Sequence, residues 1–317
     1  MILVCGEALV DLFLSPAKGG DVPARAVAGG SPFNVAIGIR RLGGRSAFFG
    51  GLSKDQFGTV LADMLAKEGV ALDFARVTDR LSTISVVAMD ASGVPSYAFH
   101  GEGKADRMLT EADLPESLPS NINALTFGSY TLAVEPVGST YLTLARREAP
   151  ARVISIDPNV RPTVTPDIAA WRTRFETFLP LADIVKASDE DIATGYGHGA
   201  DIEAVARDWL TQGAKLVVVT RGGEGAVAFS NTVTLRLPGR RVAVVDTVGA
   251  GDTFHATLLS RLDALGKLTK SALANLDETT IADIMHHAIV AASITCSRRG
   301  ADLPTTADVA TALKENC

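Results

Sequence analysis

The sequence has little of what would tie it to a disulfide scaffold, a metal centre or a membrane. Its 317 residues include three cysteines, Cys5, Cys296 and Cys317; they lack CxxC or metal-ligand spacing and are too sparse for a disulfide framework. They are expected to be reduced thiols. No Lys/Arg run occurs, and a formal net charge of −6 gives no basic face for nucleic acid. The opening residues carry no basic segment and reach Glu7 and Asp11 too soon for a signal peptide or a membrane span. A cytoplasmic protein with small-molecule partners is the expectation. Catalytic signatures are missing too: there is no GxxxxGK[ST] phosphate loop and no HExxH, HRD or GxSxG motif. Gly223 to Ala228 spells GxGxxA, but a strand-like run follows where a dinucleotide site needs a helix, which disfavours an oxidoreductase. His100-Gly-Glu102 has no paired cysteines downstream, which disfavours a zinc deaminase.

What is present describes a chain that folds throughout, with 47% hydrophobic and 21% charged residues. Its length slightly exceeds what one core usually serves, so one large domain with a small appendage is expected. Short apolar runs recur at Ile2–Cys5, Ala47–Phe49, Ala124–Phe127, Val153–Ile156, Ile184–Val185, Leu216–Val219 and Val242–Val245. Runs of this kind suit strands buried on both faces of a parallel sheet. Helical spacing lies between them, as in Val35–Leu42, Val60–Leu65, Ile202–Trp209 and the series Phe254, Leu258, Leu262, Leu265. The alternation predicts a layered α/β domain.

Two segments depart from this rhythm. Leu12–Val27 is rich in Gly and Pro, and Ile84–Met89 with Ser96–His100 reads as two strands around the turn Asp90–Pro95. They are expected to form a β lid of residues 12–27 and 84–103 on a main domain of 1–11, 28–83 and 104–317. Closure of that lid over a ligand, and a homodimer contact through it, are further expectations.

The sharpest local pattern is Asp246-Thr-Val-Gly249-Ala-Gly251-Asp252-Thr-Phe, leading into an amphipathic helix. Glycines at a helix start let backbone N–H groups converge where the dipole favours an anion. An Asp there can take a proton from an attacking hydroxyl. It can equally be an ordinary helix cap.

This segment resembles the carboxy-terminal signature of the ribokinase, or phosphofructokinase-B, family of sugar kinases. Gly29-Gly30-Ser-Pro-Phe-Asn34-Val-Ala, followed by Leu42-Gly-Gly and Phe49-Gly-Gly-Leu-Ser-Lys-Asp-Gln-Phe-Gly58, resembles its amino-terminal signature. The resemblance covers essentially the whole chain. It implies a Rossmann-like three-layer α/β sandwich with a small β lid, sugar held between them, and ATP with Mg²⁺ across the carboxyl ends of the strands. It makes Asp252 the catalytic base, aided by Gly249, Ala250 and Gly251, and gives the sugar Asp11, Gly29, Gly30, Asn34, Asp252 and Arg161 of the Asp157-Pro-Asn-Val-Arg161 segment, the Arg standing near either the sugar or the transferred phosphoryl group. On the nucleotide side it implies Lys186, Ser188, Thr220, Gly222, Gly225, Gly249, Gly251 and His287. Ser188 and Asp191 stand where the family commonly has N-x-x-E, so Asp191 is implied to order a water on Mg²⁺. Asp246 and Thr247 resemble a monovalent-cation loop, which leaves K⁺ open. The opening segment and Tyr97–Arg107 are closer to members that act on fructose than on ribose, so a ketohexose is the expected substrate. A 2-keto-3-deoxygluconate kinase, with Lys104 and Arg107 facing the acid, is the alternative. A catalytically silent sugar-binding regulator is the reading from another class.

Overall fold

The computed structural model describes residues 1–17, 19–89 and 95–315. The first half of the chain forms β1 (Ile2–Cys5), β2 (Leu9–Leu14), β3 (Ala24–Gly29), α1 (Ser31–Arg41), β4 (Ser46–Phe49), β5 (Gly51–Ser53), α2 (Gln56–Lys67), β6 (Arg76–Thr78), β7 (Thr83–Met89), β8 (Pro95–His100) and β9 (Ala124–Gly128). It continues with α3 (Val137–Glu148), β10 (Val153–Asp157), α4 (Ile168–Glu176), β11 (Ile184–Ser188), α5 (Asp189–Tyr196), α6 (Ile202–Gln212), β12 (Leu216–Thr220), β13 (Ala226–Phe229) and β14 (Thr234–Leu237). Four helices complete it: α7 (Ala250–Ala264), α8 (Lys270–Leu273), α9 (Glu278–Cys296) and α10 (Thr306–Lys314). Of the expected turn Asp90–Pro95, residues 90–94 lie outside the described residues, as does Cys317, and Pro95 begins β8.

Eight strands make the main sheet in the order β14-β13-β12-β11-β10-β9-β1-β4. From β12 to β4 all neighbours are parallel, and β13 and β14 add an antiparallel edge. The apolar runs are continuous because both faces are covered. In β1, Leu3 and Cys5 belong to the core layer that also holds Tyr141, Trp171 and Trp209 from α3, α4 and α6, whereas Ile2 and Val4 belong to the layer with Phe33, Leu258 and Met285 from α1, α7 and α9. Each such fully buried side chain contributes about 1.5 to 3 kcal/mol. The sandwich has three layers. The chain leaves β1 towards β4 but leaves β9 towards β10, so the direction of winding reverses between these adjacent strands. A crevice at the carboxyl ends of the strands is the usual ligand position at such a reversal.

A second sheet, ordered β3-β2-β7-β8, stands beside the carboxyl ends, with β2 running antiparallel to β3 and parallel to β7. Val242–Val245 is not the buried strand its composition suggests. Val244 and Val245 are 65% and 63% exposed, and the Val245 N–H bonds the Cys296 carbonyl instead of a strand neighbour. The sheet has already ended at β14, so these residues cross the surface towards α7. The expected helical series is buried at Phe254, Leu258 and Leu262, but Leu265 falls just past the end of α7 and is 38% exposed.

Candidate functional site

Gly249 caps α7 in the left-handed region, φ 79°, and an added Cβ would lie 2.7 Å from the Ala301 Cβ. Only glycine meets both demands. In the first turn, Ala250 N–H is bonded to the Thr247 carbonyl and Thr253 N–H to Gly249. The N–H groups of Gly251 and Asp252 keep no backbone partner among the described residues, as the first turn of a helix requires. Asp252 is half-buried beside them. Its two oxygens accept from the Ser31 hydroxyl (2.7 Å) and the Asn34 side-chain amide (2.8 Å), both in the first turn of α1. Burial raises its carboxyl above the usual range, with these hydrogen bonds and the charge of Lys186 opposing. Both oxygens are thus held by the start of α1, which joins the two helix starts. Asp252 is not a side-chain cap of its own helix.

Behind the turn lies a charged chain that the sequence pattern did not reveal. The Lys186 ammonium, on β11 and 4% exposed, donates to Asp157 Oδ2 at 2.8 Å, and Asp157, ending β10, is 2% exposed. A Cβ on Gly251 would come within 3.1 Å of the Lys186 Nζ. Burial pulls Lys186 down, but Asp157, Asp191 and Asp252 outweigh it and hold the ammonium above its ordinary value. His255, one turn along α7 from Asp252, stands 3.7 Å from Asp157 Oδ2 and shares a 2.8 Å hydrogen bond with the Ser155 hydroxyl. Burial and the Lys186 charge bring it down to about 3, so it is neutral.

On the other side, Asp11 in β2 faces the end of β3 so closely that a Cβ on Gly29 would lie 2.9 Å from its Oδ2. Burial raises the Asp11 carboxyl, while the Ser85 hydroxyl and the charge of Arg161 lower it. Arg161 is exposed and bonds only the carbonyl of Val160 among the described residues, so its guanidinium retains free donors. The preceding Asn159 has φ 37°, a conformation Asn tolerates better than most residues. The structure thus brings Asp11, Gly29 and Arg161 together, and joins Ser31 and Asn34 to Asp252.

The nucleotide-side residues divide. Ser188 and Thr220 are register partners at the carboxyl ends of β11 and β12, and the segment from Thr220 to Gly225 turns directly into β13. Asp191 is committed locally: Oδ1 accepts from Val160 N–H (2.7 Å) and Oδ2 from the N–H and hydroxyl of Ser188. Asp246 accepts from the N–H groups of Val248 and Gly300, tying the loop before α7 to the chain after α9. His287 lies on α9. Its Nδ1 meets the Asp283 carbonyl, and Asp283 pairs with Arg261, nine residues along α7 from Asp252, or about 13 Å at 1.5 Å per residue. A hollow of about 410 Å³ bounded by Arg146, Lys215 and Lys270 lies at the amino ends of the strands, away from all these groups. Among the described residues, no helix is long and apolar enough to cross a membrane, and no three His, Cys, Asp or Glu side chains form a metal cluster.

A helix-start anion site at the carboxyl ends of a parallel sheet, with a buried lysine behind it and a carboxylate at its mouth, marks an α/β protein that handles phosphate. Residues 1–308 match the family described as pfkB family carbohydrate kinase, and the chain belongs to that family. A fructokinase of Rhizobium leguminosarum bv. trifolii is 44% identical over 281 residues, covering 89% of this chain and 85% of the relative. The fructokinase of Xylella fastidiosa with bound ATP superposes with a TM-score of 0.91 at 28% identity, over 99% of this chain and 98% of that one. The fructokinase of Vibrio cholerae O395 in its fructose, ADP and calcium ion bound form gives 0.82 at 29% identity, over 98% of both chains.

Proposed function

We propose that this protein transfers the γ-phosphoryl group of ATP to a hydroxyl of D-fructose. The observation that carries the reading is Asp252: a carboxylate raised by burial, fixed by Ser31 and Asn34, beside the two open amides of a glycine turn. The sugar lies between the small sheet and α1, within reach of Asp11, Gly29, Gly30, Asn34 and Arg161, and the small sheet closes over it. Asp252 takes the proton of the attacking hydroxyl while that oxygen bonds the γ-phosphorus and the bond to the β-phosphate oxygen breaks, releasing ADP. The amides of Gly251 and Asp252 and the Lys186 ammonium stabilise the charge on the phosphoryl oxygens. ATP lies along the ends of β11 and β12, over Ser188, Thr220 and the Gly222–Gly225 turn.

Mg²⁺ fits as a metal that arrives with the nucleotide, since the described residues build no cage for it, and it supplies charge neutralisation at the phosphates. Asp191, with its carboxylate engaged, orients the Asp157–Arg161 loop through Val160 and reaches a metal only through water. A K⁺ ion at Asp246 and Thr247 would act on the same loop that sets Gly249.

The test is a sugar panel with ATP and Mg²⁺, following ADP release. Fructose is expected to show a higher kcat/KM than ribose, adenosine or 2-keto-3-deoxygluconate, because a site that hydrogen-bonds specific hydroxyls discriminates strongly. A higher value for the keto acid would reassign the substrate. Sugar binding without ADP release would make the protein a silent binder.

A further inference from the structure

The backbone passes between the small sheet and the rest of the fold four times, at residues 6–8, 29–30, 79–82 and 101–105. Two buried carboxyl groups sit among these crossings. Glu7, 1% exposed in the first, accepts the N–H of Ser31 just beyond the second at 3.2 Å. Gly30, φ 107°, packs so closely there that a Cβ would lie 2.9 Å from the Glu7 carbonyl oxygen and 3.2 Å from its Cγ. Gly30 is the cap residue of α1 and has no side chain to cap with. The missing acceptor comes from Glu7, whose second oxygen is buried without a well-formed hydrogen bond among the described residues. Asp106, fully buried after the fourth crossing, accepts from the hydroxyls of Thr83, which follows the third, and of Tyr130.

We propose that Glu7 is a positioning residue for the base: by capping α1 from another segment it fixes Ser31 and Asn34, and through them the carboxylate of Asp252, while Asp106 pins the other two crossings. This rests on the reading of Asp252 as the base. Burial pushes the Glu7 carboxyl up to about 8, with the Ser129 and Ser31 contacts opposing and Asp106 adding to the rise. At neutral pH it therefore caps as an uncharged acid. Ionisation above pH 8 places a negative charge in a buried pocket that also holds Asp106, Tyr130, Tyr141 and Cys5, with Arg107 the cation next to Asp106.

The experiment compares wild type, Glu7→Ala, Glu7→Gln and Asp106→Asn by kcat, KM for fructose and for ATP, and melting temperature, from pH 6.5 to 9.5. Glu7→Ala is expected to lose about 10²-fold in kcat, the size of effect a misplaced group produces, with a smaller change in KM for ATP. The wild type is expected to lose kcat above pH 8, as the buried Glu7 ionises; Glu7→Gln keeps the carbonyl acceptor and is expected to recover most of the Glu7→Ala loss and to remove that fall. Asp106→Asn is expected to move that fall to lower pH. Wild-type kcat in Glu7→Ala, or an unchanged alkaline limb in Glu7→Gln, overturns the inference. Should Glu7→Ala not fold, the limb in Glu7→Gln decides alone. An inactive Asp252→Asn beside a fully active Glu7→Ala refutes the inference only, whereas an active Asp252→Asn refutes the base itself.

Discussion

Replacing Asp252 by Asn keeps the shape of the side chain and removes its capacity to accept a proton. Its Oδ1 can still receive the Ser31 hydroxyl, and a flip of the Asn34 amide lets the new Nδ2 donate where Oδ2 accepted. The anchoring therefore survives. Loss of a general base costs about 10²- to 10⁴-fold in rate, or roughly 3 to 5 kcal/mol of transition-state stabilisation. Stability moves the other way. The native carboxyl is raised above its unfolded value, so its contribution is present at low pH and lost as pH rises through the native value. Where Asp252 is ionised its charge weakens the fold, and the neutral Asn removes that cost. We expect kcat to collapse, sugar and ATP affinities by calorimetry to stay within severalfold, and the melting temperature to hold or rise. A variant with near-normal kcat, or one whose activity falls only in step with its melting temperature, would refute the reasoning.

Lys186→Met leaves Asp157 as an uncompensated buried charge and should cost about 3 to 5 kcal/mol by denaturant titration, with Lys186→Met/Asp157→Asn recovering much of it. An unchanged midpoint in the single variant would show that the pair is not buried as described. His255 is neutral in the fold at about 3 and ordinary when unfolded at about 6.5, so stability should decline as pH drops between those values, by up to about 1.4 kcal/mol per pH unit from this group. His255→Gln, which can still reach Ser155, should flatten that decline, measured as the denaturation midpoint from pH 7 to 4.

Most of the main sheet was legible because a strand buried on both faces records its burial as an unbroken apolar run, as β1, β9, β10 and β12 do. Val242–Val245 has the same composition and is exposed. A four-residue run does not record whether a neighbouring strand exists to pair with it, and here the sheet edge had already closed at β14. The bond between Asn34 and Asp252 spans 218 residues, and although both ends lie in recognisable motifs, nothing in the sequence joined them: Asn34 was expected to hold the sugar. Ser31 lies inside the first of these and was passed over, since a serine at a helix start ordinarily serves its own helix. His287 is implied on the nucleotide side by resemblance, and its i, i+4 spacing from Asp283 gives it a local partner as well.

The chain Ser155–His255–Asp157–Lys186 has no local pattern at all, because each contact joins two different elements. Its arrangement nevertheless follows from the electrostatics of the glycine turn. An ammonium buried behind a helix start would be expelled or deprotonated without a counter-charge, and Asp157 supplies one. A second cation there would leave the turn overcharged when empty, and His255 stays neutral. Lys186 makes one hydrogen bond among the described side chains, to Asp157, and an ammonium has three donors. A Cβ on Gly251 would stand 3.1 Å from that ammonium, closer than an ordinary contact, so a side chain there would press on the lysine. The glycine in the middle of the turn thus leaves the ammonium its room behind the helix start.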